Sequence, residues 1–246
     1  MQKLLLGQKG VLVHIMGDII IFGSHQKEHD KRLQNVFKIL DASGITLNPK
    51  KCQFNLDELK FLGHIVGKNG IKIDPDAVSA VTKFSTPSNV SEVRQLLGLV
   101  NHVAKFVPNL AEETHALHKL LKKSNMFQWN QKQETCSNRL KQIISNTPII
   151  ALYDPNKDTR ILADTSSYGI GGVLEKLQEA GKWKPVMYCS KSLSPTEQSY
   201  AQIEKETLAI VWTCERLSQF LIGKSFIVQT VHMSLLKILK TKPIMI

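Results

Sequence analysis

Two carboxylates stand where carboxylates are costly. Asp164 closes the apolar run Arg160-Ile161-Leu162-Ala163, and Glu206 shares a helical stripe with Ile203, Ile210, Cys214, Leu217 and Leu221. An ionised acid on an otherwise apolar surface is unfavourable unless paired, so a cation is the natural partner to look for. A strand end and a helix face together offer few hard oxygens, which suits Mg²⁺, an ion that keeps several positions for water and substrate phosphate. Spacing leaves a second reading open for Glu206, at the edge of the stripe with its head in water.

Stepping outward from these acids, residues 159–165, 169–175 and 184–190 read as strands, 196–222 as one long amphipathic helix and 226–231 as a further strand. Three antiparallel strands, a helix and a fourth strand make a mixed α+β unit. The polar stretch Asp154-Pro155-Asn156-Lys157-Asp158 marks its start. Upstream, Asp76 to Ile144 has helical periodicity, with Pro75 and Pro87 opening segments, a capping-type start over Ser88–Glu92, and an apolar stripe of Leu96, Leu97, Leu99, Val100 and Val103. His115, His118, Lys119, Lys122 and Lys123 give this region a basic face that could track a nucleic-acid backbone or simply be solvated.

Nearer the N-terminus, the branched runs of residues 11–23 surround Gly17-Asp18, and glycine first suits a type II′ hairpin turn. A helix carrying Leu33, Val36, Phe37 and Leu40 stops at Ser43-Gly44. Short strands are expected around 50–54 and 60–66. The chain thus divides into residues 1–75, a helical 76–153 and an α+β 154–246.

Composition bounds the partners. With 42% hydrophobic and 22% charged side chains over 246 residues, the chain can bury one large or two modest cores. A formal charge of +11 favours a polyanionic partner, nucleic acid first, because lysines and arginines set against phosphates release counterions. Cys52, Cys136, Cys189 and Cys214 form no Cys-x-x-Cys pair, so local spacing builds neither a zinc ribbon nor a redox motif. His25/His29 and His115/His118 lack acidic or thiol partners in register and read as surface histidines. The apolar run near residues 11–22 is short and interrupted by His14 and Asp18, so neither a signal peptide nor a membrane span is expected. A reduced cytoplasmic or nuclear setting fits.

The segments 162–174, Pro185-Val186-Met187-Tyr188-Cys189-Ser190 and 200–210 resemble the RNase H domain of gypsy-type retrotransposon Pol polyproteins. Leu47-Asn48-Pro49-Lys50-Lys51-Cys52-Gln53-Phe54 and Lys60-Phe61-Leu62-Gly63-His64-Ile65 resemble the reverse transcriptase of the same polyproteins. The resemblance implies a palm remnant, thumb and connection helices, and an RNase H-like domain, acting on an RNA–DNA hybrid or duplex with Mg²⁺. It places Asp164 and Glu206 as the first two of four metal-binding carboxylates. Val231, in Gln229-Thr230-Val231-His232, stands in the third place, with His232 beside it as a nucleic-acid contact. The fourth is expected beyond Ile246.

In the polymerase part the resemblance makes Asp18 the surviving member of a metal-binding Asp-Asp pair. The matching segment here, Met16-Gly17-Asp18, is one residue longer than the family pattern and has one acid. An earlier palm aspartate and the fingers are expected before Met1. Lys51 matches a lysine that protonates the leaving pyrophosphate, and Leu62, Gly63 and His64 the segment that grips the primer end. With ligands missing from both sites, weak or no activity is expected, while binding through many lysines should survive. A non-catalytic nucleic-acid-binding remnant and a protein-interaction module are the alternatives.

Overall fold

Branched residues on either side of Gly17 pair as an antiparallel hairpin, β1 (Val11–Val13) with β2 (Ile19–Ile21). Val13 lies opposite Ile19, whereas a two-residue turn at Gly17-Asp18 would set position 16 opposite Ile19, so the expected type II′ turn is not compatible with this register. Matching the branched side chains across the pair fixes this register, and local turn preference yields to it. In this computed structural model the described residues are 3–13, 17–122, 126–230 and 235. His25 caps helix α1 (Gln26–Ala42) through a hydrogen bond that its ring accepts from the Glu28 amide. Val36 and Leu40 of α1 form a small core with Leu5, flanked by Val11, Val13, Ile19 and Ile21. A 3₁₀ turn at Pro49–Lys51, capped by Asn48, replaces the strand expected at 50–54, because proline withholds a ladder donor and the asparagine closes a turn.

Residues 1–56 form one compact unit and 57–246 a second. The second opens with a meander of β3 (Glu58–Phe61), β4 (His64–Gly67) and β5 (Gly70–Ile73). The strand expected at 60–66 is therefore two strands. Leu62 and Gly63 form the turn between them, with φ of 49° and 74°, and a side chain on Gly63 would collide with the His102 ring.

Helices then follow as the periodicity predicts. Asp74 caps α2 (Pro75–Thr82), Asn89 caps α3 (Val90–His102), and Asn130 caps α6 (Gln131–Ser145) with a capping box to Gln133. The short helices α4 (Leu110–Glu113) and α5 (His115–Lys119) lie between α3 and α6. Their shared core includes Val81, Val93, Leu96, Val100, Phe106, Leu117, Leu140 and Ile144, all at most 2% exposed. No helix among the described residues is long and apolar enough to cross a membrane.

The last layer is a four-stranded sheet in the order β8-β7-β6-β9. Strands β6 (Thr159–Thr165), β7 (Gly169–Leu177) and β8 (Trp183–Ser192) run antiparallel, and β9 (Ile227–Gln229) joins β6 in parallel. The long helix expected over 196–222 is three helices: α7 (Pro195–Gln198), α8 (Gln202–Arg216) and α9 (Ser218–Leu221). Glu204 accepts a hydrogen bond from the Ala201 amide at 2.8 Å, so a fresh helix starts there. This places Glu206 near the start of a helix.

Helix α8 covers one face of the sheet, through Ala209, Ile210 and Cys214 against Ile161, Ala163 and Leu174. On the other face, Tyr188 of β8 packs against the helical core. Adjacent glycines permit both approaches. A Cβ on Gly172 would strike the Thr213 hydroxyl of α8, and one on Gly171 would strike the Asn109 amide that precedes α4.

Candidate nuclease site

The β8-α8-β9 crossover sets where the acids fall. β8 and β9 both run parallel to β6, so α8 travels back across the sheet and begins at the carboxyl end of β6. Asp164 lies at that end, one residue before the close of β6. Glu206 lies seven positions ahead of Thr213, the residue level with Gly172 and hence with Ala163, or about 10 Å along the helix toward the same end. Carboxyl ends of parallel strands are where open sheets of this kind bind ligands.

The two side chains differ in setting. Glu206 is 4% exposed, so the edge-of-stripe reading with its head in water does not hold. Its Oε1 accepts from Gln202 Nε2 at 2.9 Å, and its Oε2 is buried without a hydrogen-bond partner. Asp164 is exposed, and its Oδ1 accepts from the Thr165 amide at 2.8 Å. Strand alternation turns Asp164 away from α8, since Ile161 and Ala163 face the helix, so any cation shared with Glu206 would sit around the strand end. On its own face Asp164 lines a cavity of about 20 Å³ with Asn109, Glu112, Ser166, Gly169 and Gly171. Among the described residues no cluster of three or more His, Cys, Asp or Glu side chains forms a candidate metal site.

The structure also places a basic helix beside this strand end. His115, expected on the surface, is partly buried with its ring stacked on Tyr168 at 4.0 Å, and the Lys119 ammonium lies 5.7 Å from the same ring. Burial, with Lys119, Lys122 and His118 nearby, holds the His115 pKa below its usual value. Lys119 and Lys122 are exposed. Lys123, Val231 and His232 lie outside the described residues, as do His14, Ile15 and Met16. Sequence reasoning missed Tyr168, Asn109 and Glu112. The available signal was a tyrosine four positions after Asp164, in a serine-rich turn where no core demands an aromatic.

The polymerase-side residues fall in two places. Asp18 and Lys51 belong to the unit of residues 1–56, and both are exposed. Leu62, Gly63 and His64 belong to the second unit, with Leu62 49% exposed at the turn. His64 stacks on His102 at 5.6 Å and lies 5.2 Å from Phe106, with its Nδ1 buried and unpartnered. Burial first, then Lys105 and His102, push its pKa from 6.5 down to about 4, against the opposing pull of Asp74.

That depression has a sign. The folded protein disfavours the protonated ring, so the stability tied to His64 is complete above pH 6.5 and drains away as pH falls from 6.5 toward 4. Allowing for partial exposure, the loss is on the order of 2 kcal/mol. Urea titrations of His64→Phe should show a shallower fall in midpoint than the parent over that interval. Parallel curves for the two proteins would remove His64 from the account.

An inner strand with an acid at its carboxyl end, and a crossover helix that begins there with a second acid, define an RNase H-like domain. Residues 129–228 match the family described as RNase H-like domain found in reverse transcriptase, and residues 1–66 the family reverse transcriptase (RNA-dependent DNA polymerase). The chain belongs to the reverse transcriptase and RNase H family of retrotransposon Pol polyproteins. It is 35% identical over 229 residues to the retrovirus-related Pol polyprotein from transposon 297 of Drosophila melanogaster, covering 92% of this chain and 21% of that protein. It is 30% identical over 210 residues to the transposon Tf2-3 polyprotein of Schizosaccharomyces pombe, covering 85% of this chain and 16% of that protein. The chain thus spans about a fifth or less of these relatives.

Solved structures of foamy viral protease-reverse transcriptase share the fold. The dRH form in complex with ds DNA gives a TM-score of 0.85 over 98% of this chain and 42% of its own, at 23% identity. The complex with RNA/DNA hybrid gives 0.83 over 98% and 32%, also at 23% identity.

Proposed function

We propose that residues 57–246 bind an RNA–DNA hybrid along the basic α5 surface and cut its RNA strand, slowly, at the carboxyl end of β6. The observation that carries this reading is the orphaned, buried Oε2 of Glu206 at the strand end that bears Asp164. A buried carboxylate oxygen without a donor is costly, and a cation is the partner that removes the cost. Asp164 and Glu206 fit Mg²⁺, which asks for one or two carboxylates and fills its remaining positions with water and phosphate. When bound, the ion would supply positive charge to the phosphoryl oxygens during strand cleavage. Asp164, exposed and oriented by the Thr165 amide, would position it from the solvent side, while Gln202 holds Glu206 in place. Lys119 and Lys122 would take the phosphates.

Family resemblance puts Val231 where a third carboxylate is expected, and valine ligates nothing, so the proposed rate is low. Asp18, the one acid of residues 14–18, and Lys51 are the proposed polymerase-side contributions of the first unit. Residues 14–18 carry one acid where the family pattern has a pair, so the assignment rests on hybrid cleavage.

The test uses a hybrid with 5′-labelled RNA, in Mg²⁺ and in EDTA. Cleavage in Mg²⁺ alone, lost in Asp164→Asn and raised about 10-fold or more in Val231→Asp, is the expected pattern. Cleavage that survives Asp164→Asn would belong to a contaminant. The second reading, binding without chemistry, is favoured because no group of three or more His, Cys, Asp or Glu among the described residues is placed to hold a metal. Salt-sensitive hybrid binding with no cut in any variant would select it.

A further inference from the structure

We infer that Tyr168 is a substrate-contacting residue that reads the ribose edge of the RNA strand at the cleavage site. This rests on the proposed hybrid binding and assigns part of its selectivity. An exposed tyrosine in a turn ordinarily gains little from being held still. Here the ring is 41% exposed yet fixed from several sides. His115 stacks on one face at 4.0 Å, with an interplanar angle of 22°, and the Lys119 ammonium stands 5.7 Å from the centroid.

The backbone is equally tied. Ser166 Oγ accepts from the Tyr168 and Gly169 amides at 3.3 and 3.2 Å, and the Tyr168 carbonyl accepts from Leu193 at 2.8 Å. The aromatic ring is therefore presented in one orientation, four residues after Asp164. His115 occupies one face and the Lys119 ammonium lies over the ring, so the hydroxyl is the group best suited to a ligand, and it favours hydrogen bonding to a sugar over stacking on a paired base. The groove that exposes sugars to such a contact is the wide, shallow minor groove of an A-like helix, where the 2′-hydroxyl is both donor and acceptor. Lys119, at the end of α5 and beside the ring, suits a flanking phosphate. An RNA strand lying so would have its backbone next to Asp164.

The test compares binding of a labelled hybrid and of an all-DNA duplex of the same sequence by fluorescence anisotropy. Tyr168→Ala should weaken hybrid binding about 10-fold and duplex DNA binding by about 3-fold or less, with the salt slope unchanged. Lys119→Gln should weaken both ligands alike and reduce the slope by about 1. As a check that does not depend on the alanine variant folding, the four tyrosines of the parent are labelled as 3-fluorotyrosine, and the conservative Tyr168→Phe assigns the resonance. The Tyr168 signal should shift on adding hybrid. Parent protein that binds neither ligand would sink the nucleic-acid reading itself. Parent that binds hybrid while Tyr168→Ala matches it, or loses equally on both ligands, or leaves the fluorine signal unmoved, overturns the Tyr168 inference alone.

Discussion

Replacing Glu206 with glutamine is expected to abolish Mg²⁺-dependent behaviour while leaving the fold at least as stable. In the parent, one carboxylate oxygen is bonded to Gln202 and the other is buried with no donor. Removing the charge relieves a buried, uncompensated group, an effect on the order of 1 to 3 kcal/mol that matches or exceeds the cost of the imperfect amide geometry. In EDTA the variant should therefore melt at or above the parent. Adding Mg²⁺ should raise the parent's melting temperature and not the variant's, because only the parent keeps a charged oxygen to gain from the ion. Any hybrid cleavage should fall by about 10² to 10³. A parent indifferent to millimolar Mg²⁺, together with a variant that melts well below it, would mean that Glu206 is a structural acid whose partner is something other than a cation.

Phe106→Ala should be the most destabilising single change in the second unit. The ring is fully buried, is among the largest wholly enclosed side chains, and belongs to the helical core that also receives Tyr188 from the sheet. It also lies 5.2 Å from the His64 ring, beside the Leu62-Gly63 turn. Truncation leaves a cavity walled by several elements that cannot all move inward, so a cost of about 3 to 5 kcal/mol is expected. For a unit of this size that is a fall of roughly 10 °C in melting temperature. The same void would rehydrate the His64 ring, so its depressed pKa should recover toward 6.5 in the variant. NMR titration of the histidine ring protons reads this second effect, and a His64 pKa that stays near 4 would place its desolvation elsewhere.

Periodicity carried the elements that bury one clear face. The α3 stripe, the three antiparallel strands and the α8 seam through Ile210 and Cys214 all lie where the pattern predicts, because a 3.6-residue or two-residue repeat of apolar groups has few ways to be buried. Local signals competed less well where two starts lie close together. Pro195 and Ala201 each open a helix, and the apolar spacing on either side is nearly continuous, so the break between α7 and α8 is invisible to a stripe count. The Leu62-Gly63 turn was hidden in the same way by the branched residues around it.

What the amino-acid order by itself determined here is chemical identity: a basic chain, acids at 164 and 206 set in apolar runs, and valine at 231. Tertiary structure decided what those acids can do. Strand alternation turned Asp164 onto the face away from α8, the crossover brought Glu206 to the same strand end, and packing left one of its oxygens without a donor. Docking of α4 against the sheet then set His115 of the adjoining α5 against Tyr168, a contact between residues 53 positions apart. Such outcomes depend on which layers meet and from which side, and hydrophobic spacing within one segment holds no information about its neighbour across the core.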